Sequence, residues 1–218
     1  MIDIAVVDYG MGNLRSVAKA LQHVAPDAQI SVTDSAQQIR EARRVVFPGQ
    51  GAMPDCMREM EARGLHKPLL EAAGTKPFLG ICIGLQMLFE WSEEGDVEGL
   101  GVLPGKVLRF PKDAMVDDKG AKLKVPHMGW NRVEPQGTHA LWAGISPGSR
   151  FYFVHSYYVE AGDARQVAAV SRYPFAFACA VASDNIFAVQ FHPEKSQSDG
   201  LRLLANFVNW NGTAHTPV

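Results

Sequence analysis

Lys76-Pro77-Phe78-Leu79-Gly80-Ile81-Cys82-Ile83-Gly84 decides how this chain is to be read. The apolar run over 76–81 has the composition and length of a buried strand, and the pattern from 83 to about 91 reads as a helix. Between them Gly80, Cys82 and Gly84 have the spacing of a nucleophile elbow, where a strand turns sharply into a helix and presents one side chain at the turn. Glycine on both sides lets neighbouring backbone approach closely. A cysteine there sits at a helix N-terminus, whose partial positive charge favours thiolate over thiol. The N–H of Ile83 then points at any oxyanion formed on a bound acyl group. The motif alone leaves a plain buried cysteine open as the alternative, since free cysteine is among the most buried residue types. Cys56 and Cys179 have no such setting and read as structural.

Upstream of the elbow, short apolar runs alternate with helical patterns. Strands are expected at 2–7, 30–33 and 44–47. Helices are expected at 13–24 (with Leu14, Val17, Ala18 and Leu21 on one face), 36–42, 53–63 and 67–73. That alternation is the signature of a parallel sheet with crossover helices. Beyond residue 100 the rhythm changes. Strands are expected at 101–110, 121–125, 150–154, 166–171, 175–182 and 186–190, broken by turns such as Asp117-Asp118-Lys119-Gly120, before a last helix at 199–210. The fold class is therefore α/β: a doubly wound, mostly parallel central sheet flanked by helices, with a β-rich second half, as a single domain over 1–218.

The bulk numbers agree with that reading. A chain of 218 residues, 47% hydrophobic, buries roughly 70% or more of its unfolded surface, enough for one full core. A formal charge of −2 gives no basic footprint for nucleic acid. Three cysteines without CxxC spacing argue against a disulfide framework or structural zinc, and reduced thiols fit a cytoplasmic location. The uncharged apolar stretch 173–183 is far shorter than the ~20 residues of a membrane span. No metal or cofactor is expected.

A cysteine nucleophile needs a base, and Phe191-His192-Pro193-Glu194 offers one. In an extended segment residues two apart face the same side, so His192 and Glu194 can lie along one line. Pro193 holds its own φ near −65° and pushes His192 toward extended geometry. The imidazole can carry the proton while the carboxylate sets its tautomer. Both Cys82 and His192 follow apolar strands. In an open parallel sheet the carboxyl ends of the strands share the edge where ligands bind, so the two meet there despite 110 intervening residues.

Other loops compete for that edge. Gly10-Met11-Gly12-Asn13-Leu14-Arg15 imitates a dinucleotide fingerprint, with Asp34 downstream, but Arg15 fills the third glycine position and the site is rejected. Pro48-Gly49-Gln50-Gly51-Ala52 follows the third strand, and its glycines allow a peptide to turn an N–H toward the site, which suits a second oxyanion donor; a plain glycine turn is the rival reading. His155-Ser156-Tyr157 offers polar groups for a substrate's α-amino and α-carboxylate groups.

Taken together, Gly80-Ile81-Cys82-Ile83-Gly84-Leu85-Gln86, Phe191-His192-Pro193-Glu194 and Pro48-Gly49-Gln50-Gly51 resemble the class I (triad) glutamine amidotransferases. Asp8-Tyr9-Gly10-Met11-Gly12-Asn13-Leu14, Pro126-His127-Met128-Gly129-Trp130-Asn131 and Tyr152-Phe153-Val154-His155-Ser156-Tyr157-Tyr158 resemble one branch of it, the glutaminase subunits of imidazole glycerol phosphate synthase in histidine biosynthesis. The resemblance spans nearly the whole chain. It implies that Cys82 attacks the side-chain amide of L-glutamine, His192 moves protons and Glu194 orients His192. It further implies that Gln86, His155, Ser156 and Tyr157 hold glutamine and that Gly49, Gln50 and Gly51 form a movable oxyanion strand beside Ile83. Whether Gln50 or Gly51 donates stays open. Ammonia would pass to a (β/α)8-barrel cyclase subunit in a heterodimer, with Asn13, Trp130 and Lys195 at the interface.

Three rivals remain. One is the glutaminase component of another synthase, such as that for anthranilate, which would not be expected to carry the last two stretches together. Another is a cysteine α/β-hydrolase, in which Asp163 or Asp184 would replace Glu194. The third is a non-catalytic subunit that keeps the fold.

Overall fold

The computed structural model describes residues 2–111, 115–116 and 120–213. The chain begins with β1 (Ile4–Val7), α1 (Leu14–Val24), β2 (Ile30–Thr33), α2 (Ala36–Glu41), β3 (Arg44–Gly49), α3 (Met53–Ala62), α4 (His66–Ala73), β4 (Phe78–Cys82) and α5 (Ile83–Gln86). The second half contains β5 (Phe89–Ser92), β6 (Val97–Glu98), β7 (Leu103–Arg109), β8 (His127–Arg132), β9 (Glu134–Pro135), β10 (Arg150–His155), β11 (Tyr157–Ala161), β12 (Val167–Arg172), β13 (Ala176–Ser183), β14 (Ile186–Val189) and α6 (Gln197–Asn209).

Strands β2-β1-β3-β4-β14 form the parallel centre of a twelve-stranded sheet. β1, β4 and β14 are buried at every residue, as strands covered on both faces must be. α1 packs with α6, and α2 with α4. The chain leaves β1 first toward β2 and then crosses to β3 on its other side. This reversal opens a crevice beyond the carboxyl ends of the strands. Those ends carry the loop at 8–13, Gly49 to Ala52, Cys82, and Gln190 to His192. Past β14 the sheet turns antiparallel through β13, β11 and β7, while β8 and β10 form a separate two-stranded ribbon.

The doubly wound centre and β-rich second half agree with the expectation; three local assignments do not. The helix expected over 83–91 stops at Gln86, and Phe89–Ser92 is β5 instead. The backbone N–H groups of Leu100, Val102 and Leu103 donate to the carbonyls of Met87 and Leu88 at 2.7–2.9 Å, so pairing with the β7 segment wins over helix continuation. The apolar spacing that looked helical arises because residues 83–89 are buried on all sides. Among the described residues, the segment expected as a strand over 121–125 makes one bridge, Val116 with Lys122. Its place is taken by β8, which starts just after Pro126, a residue with no N–H to give a ladder. β11 has no counterpart among the expected strands. The Asp117-Asp118-Lys119 part of the expected turn lies outside the described residues.

Candidate active site

The elbow is sharp. Cys82 has φ 57° and ψ −111°, a conformation that few residues other than glycine adopt, at the residue where β4 ends and α5 begins. Its two glycines are steric requirements. A Cβ on Gly84 would lie 1.8 Å from the Phe47 carbonyl oxygen, and one on Gly80 would lie 2.9 Å from the Ala188 Cβ. α5 has only four residues, so what Cys82 meets is the local N–H groups of one turn rather than a full helix dipole, a correction to the sequence reading. The side chain is almost enclosed, with its sulfur 3.7 Å from Gln190 Nε2 and 4.0 Å from the Val154 carbonyl. The other two cysteines differ: burial pushes the Cys56 thiol up to about 11 and holds the Cys179 thiol well above its ordinary value. Neither is set up to ionise.

His192 and Glu194 flank Pro193 as expected. Nδ1–H of His192 donates to Glu194 Oε1 at 2.8 Å, with both side chains buried. The backbone is pinned as well: His192 N–H donates to the Tyr152 carbonyl at 2.9 Å, and Ser196 Oγ donates to the His192 carbonyl at 2.6 Å. Burial pushes the imidazole down, but Cys82 and Glu194 outweigh it and raise it to about 9. Nε2 has no hydrogen-bond partner among the described residues. The cysteine therefore acts on the ring without a closed hydrogen bond, a contact of the kind that tightens in the Michaelis complex. Asp184 turns between β13 and β14, at the opposite edge of the sheet, and Asp163 is paired with Arg165. Neither reaches His192.

Cys82 and His192 open into a cavity of about 220 Å³, also lined by Gln50, Gly51, Ile83, Gln86, Glu94, Ser156 and Tyr157. That volume is below the roughly 300 Å³ of drug-sized sites and suits a small ligand. Gly49 belongs to β3, where it pairs with Cys82; a Cβ there would lie 2.2 Å from the Tyr9 hydroxyl oxygen. Gly51 has φ 123°, open to glycine. The Cys56 thiol reaches the Gln50 carbonyl at 3.9 Å. Gln86 donates through Nε2 to Gln190 Oε1 at 2.9 Å and to the Tyr157 carbonyl at 3.2 Å, which leaves its Oε1 unpaired.

His155 lines the cavity, but both of its ring nitrogens are engaged, by the Tyr157 carbonyl at 2.7 Å and by His127 at 2.9 Å. Its ring serves the wall rather than a ligand. Two residues had escaped the sequence reading. Glu94, a carboxylate in the cavity, lies just beyond the stretch read as helix, and Gln190 reads only as a strand end. Trp130 and Lys195 both meet Tyr152, the first edge-to-face at 6.1 Å and the second with Nζ 5.9 Å from the ring centre. α1, which Asn13 precedes, packs against the short helix Pro193–Lys195.

Residues 5–210 match the family model described as glutamine amidotransferase class-I, and the chain belongs to that family. Within it, the chain is 67% identical over 210 residues to the imidazole glycerol phosphate synthase subunit HisH of Nitrosospira multiformis, covering 96% of this chain and 99% of the relative. It is 65% identical over 214 residues to the protein of the same name from Thiobacillus denitrificans, covering 98% and 94%. At that likeness the family is that of the HisH subunits. The crystal structure of a glutamine amidotransferase from Thermotoga maritima superposes with a TM-score of 0.59 at 16% identity, covering 88% of this chain and 76% of that one. That likeness concerns the fold alone. No helix among the described residues is long and apolar enough to cross a membrane.

Proposed function

We propose that Cys82 hydrolyses glutamine to glutamate and ammonia, and that the ammonia is handed to a (β/α)8-barrel cyclase subunit of imidazole glycerol phosphate synthase in histidine biosynthesis. The observation that carries this reading is a buried His192–Glu194 pair opening, with a cysteine in a strained elbow, into one small cavity.

With Cys82 and Glu194 raising its ring to about 9, His192 holds at Nε2 the proton taken from the thiol while the sulfur attacks the side-chain amide carbon. Charge builds on the amide oxygen, where the Ile83 N–H and one N–H of the Gln50–Gly51 segment stabilise it. The C–N bond then breaks and His192 returns its proton to the leaving nitrogen, which departs as ammonia from a γ-glutamyl thioester. Water, deprotonated by the same imidazole, releases glutamate. Glu94 supplies the negative charge for the substrate's α-ammonium, and the unpaired Gln86 oxygen a further acceptor.

A partner follows from the product's chemistry. Ammonia near neutral pH is mostly protonated and then no nucleophile, so a sheltered route keeps it reactive. Both relatives are named as synthase subunits. Trp130 and Lys195 around Tyr152, with exposed Met128 nearby, form the surface proposed to meet the cyclase, with Asn13 beside it. In the complex, Cys82→Ala should abolish glutamine-dependent cyclisation and leave ammonia-dependent cyclisation intact. Wild-type glutamine turnover by that variant would refute the assignment.

A further inference from the structure

β8 and β10 pair so that His127 stands directly opposite His155. His127 stacks on Tyr173 and Phe153, and both histidines touch Phe177. The hydrogen-bond directions along this line can be worked out from either end. At the outer end the Asn131 side chain donates to the Arg172 carbonyl at 2.9 Å, and its oxygen accepts the Arg132 N–H at 2.8 Å. Its nitrogen also faces His127 Nε2 at 3.3 Å, so Nε2 accepts. A neutral imidazole that accepts at Nε2 carries its proton on Nδ1, and His127 Nδ1 lies 2.9 Å from His155 Nε2.

At the inner end His155 Nδ1 lies 2.7 Å from the Tyr157 carbonyl. A carbonyl only accepts, so His155 carries its proton on Nδ1 and must accept at Nε2. The proton positions required at the two ends are compatible at the one bond where they meet, from His127 Nδ1–H to His155 Nε2. The chain runs from Asn131 to His127, from His127 to His155, and from His155 to the Tyr157 carbonyl. That carbonyl also takes Gln86 Nε2, which reaches Gln190, whose amide nitrogen lies 3.7 Å from the Cys82 sulfur. His127 itself lies outside the Cys82 cavity and instead lines a surface depression with Met128 and Trp130.

We propose that His127 is a positioning residue for the glutaminase reaction: its Nδ1–H locks the His155 ring, and through it the Ser156–Tyr157 turn that walls the glutamine cavity. The proposal rests on the assignment of glutamine to that cavity. Without the donor, His155 Nε2 would be buried and unpaired, and the ring would gain by rotating to find another partner, releasing the Tyr157 carbonyl. The effect falls on substrate binding, because His127 touches no reacting atom.

The test is glutaminase KM and kcat, measured on the complex with the cyclase subunit, for the wild type, His127→Leu and His127→Asn. The side-chain nitrogen of the asparagine falls near the position of His Nδ1 and keeps a donor facing His155. His127→Leu should raise KM for glutamine roughly tenfold with kcat within about threefold, and His127→Asn should recover most of the loss. Leu and Asn variants that behave alike, or that change kcat alone, overturn the proposal. Nitrogen-15 NMR of the imidazoles in the wild-type chain decides independently of how the variants fold. Protons on Nδ1 of both rings support the relay, and a proton on His155 Nε2 overturns it. A wild-type complex that hydrolyses no glutamine refutes the functional reading; a wild type that turns over glutamine, matched in KM by His127→Leu, refutes the role of His127 alone.

Discussion

Gly84→Ala places a methyl group where the structure has none to spare. The new Cβ would lie 1.8 Å from the Phe47 carbonyl oxygen and 2.9 Å from its carbon, whereas real Cβ contacts stay beyond 3.0 Å. The gap must therefore open by at least 1.2 Å, the difference between 3.0 and 1.8 Å. Phe47 cannot retreat, because β3 is held between β1 and β4. What moves is the single turn of α5, carrying the Ile83 N–H and the Cys82 backbone with it. A misplacement of about 1 Å at reacting groups costs on the order of 10²-fold in rate, and overpacking of this kind about 1–3 kcal/mol of stability. Each kcal/mol corresponds to about 2–4 °C in a domain of this size. Glutaminase kcat/KM should therefore fall about 10²-fold and the melting temperature by several degrees. Gly64→Ala is the control: φ is 65° with open space around it, so it should cost stability of about 1 kcal/mol and leave the rate unchanged. A Gly84→Ala protein with kcat/KM within threefold of wild type would show that the elbow does not position the nucleophile as described.

Glu194→Gln keeps the shape of the buried pair and removes its charge. It should lower kcat by about 10² to 10⁴, and an NMR titration should find His192 well below about 9, since burial, which pushes the ring down, remains. Acid should destabilise the fold through His127 and His155, which burial pushes down to about 4 and about 3, with His192 acting the other way. The first two lie below the unfolded value of about 6.5, so their contribution is full above that pH and is lost as pH falls toward 4 and 3. His192 lies above it, so its contribution is full below about 6.5 and is lost as pH rises through about 9. Urea unfolding at pH 7 and pH 5 should show a net loss at pH 5, because two groups lose there and one gains. Equal stability at the two pH values would contradict the buried, neutral state of the histidine pair.

The elbow and the His192–Pro193–Glu194 segment were legible because each is local. Two glycines fix one turn and one proline fixes one extended segment, so the sequence states the geometry directly. The parallel centre was legible because β1, β3, β4 and β14 are continuous apolar runs. Residues 83–89 were not, since a segment buried on all sides shows no periodicity that separates helix from strand, and the deciding hydrogen bonds come from residues 100–103. The wall of the cavity was the least legible part. Gln190, Glu94 and the His127–His155 pair gain their roles only from contacts across 28 to 108 positions of chain, as in the bonds of His127 to His155 and of Gln190 to Cys82. His155 was expected to help hold the substrate, and the structure shows both of its ring nitrogens engaged within the protein.

The most direct test is to quench the chain with acid during turnover of carbon-14 glutamine, with the cyclase present, and to locate the acyl label by peptide mapping. One γ-glutamyl thioester per chain is expected, on the peptide carrying Cys82. Label on Cys56 or Cys179, or steady turnover by a Cys82→Ala chain with no acyl-enzyme at all, would contradict it.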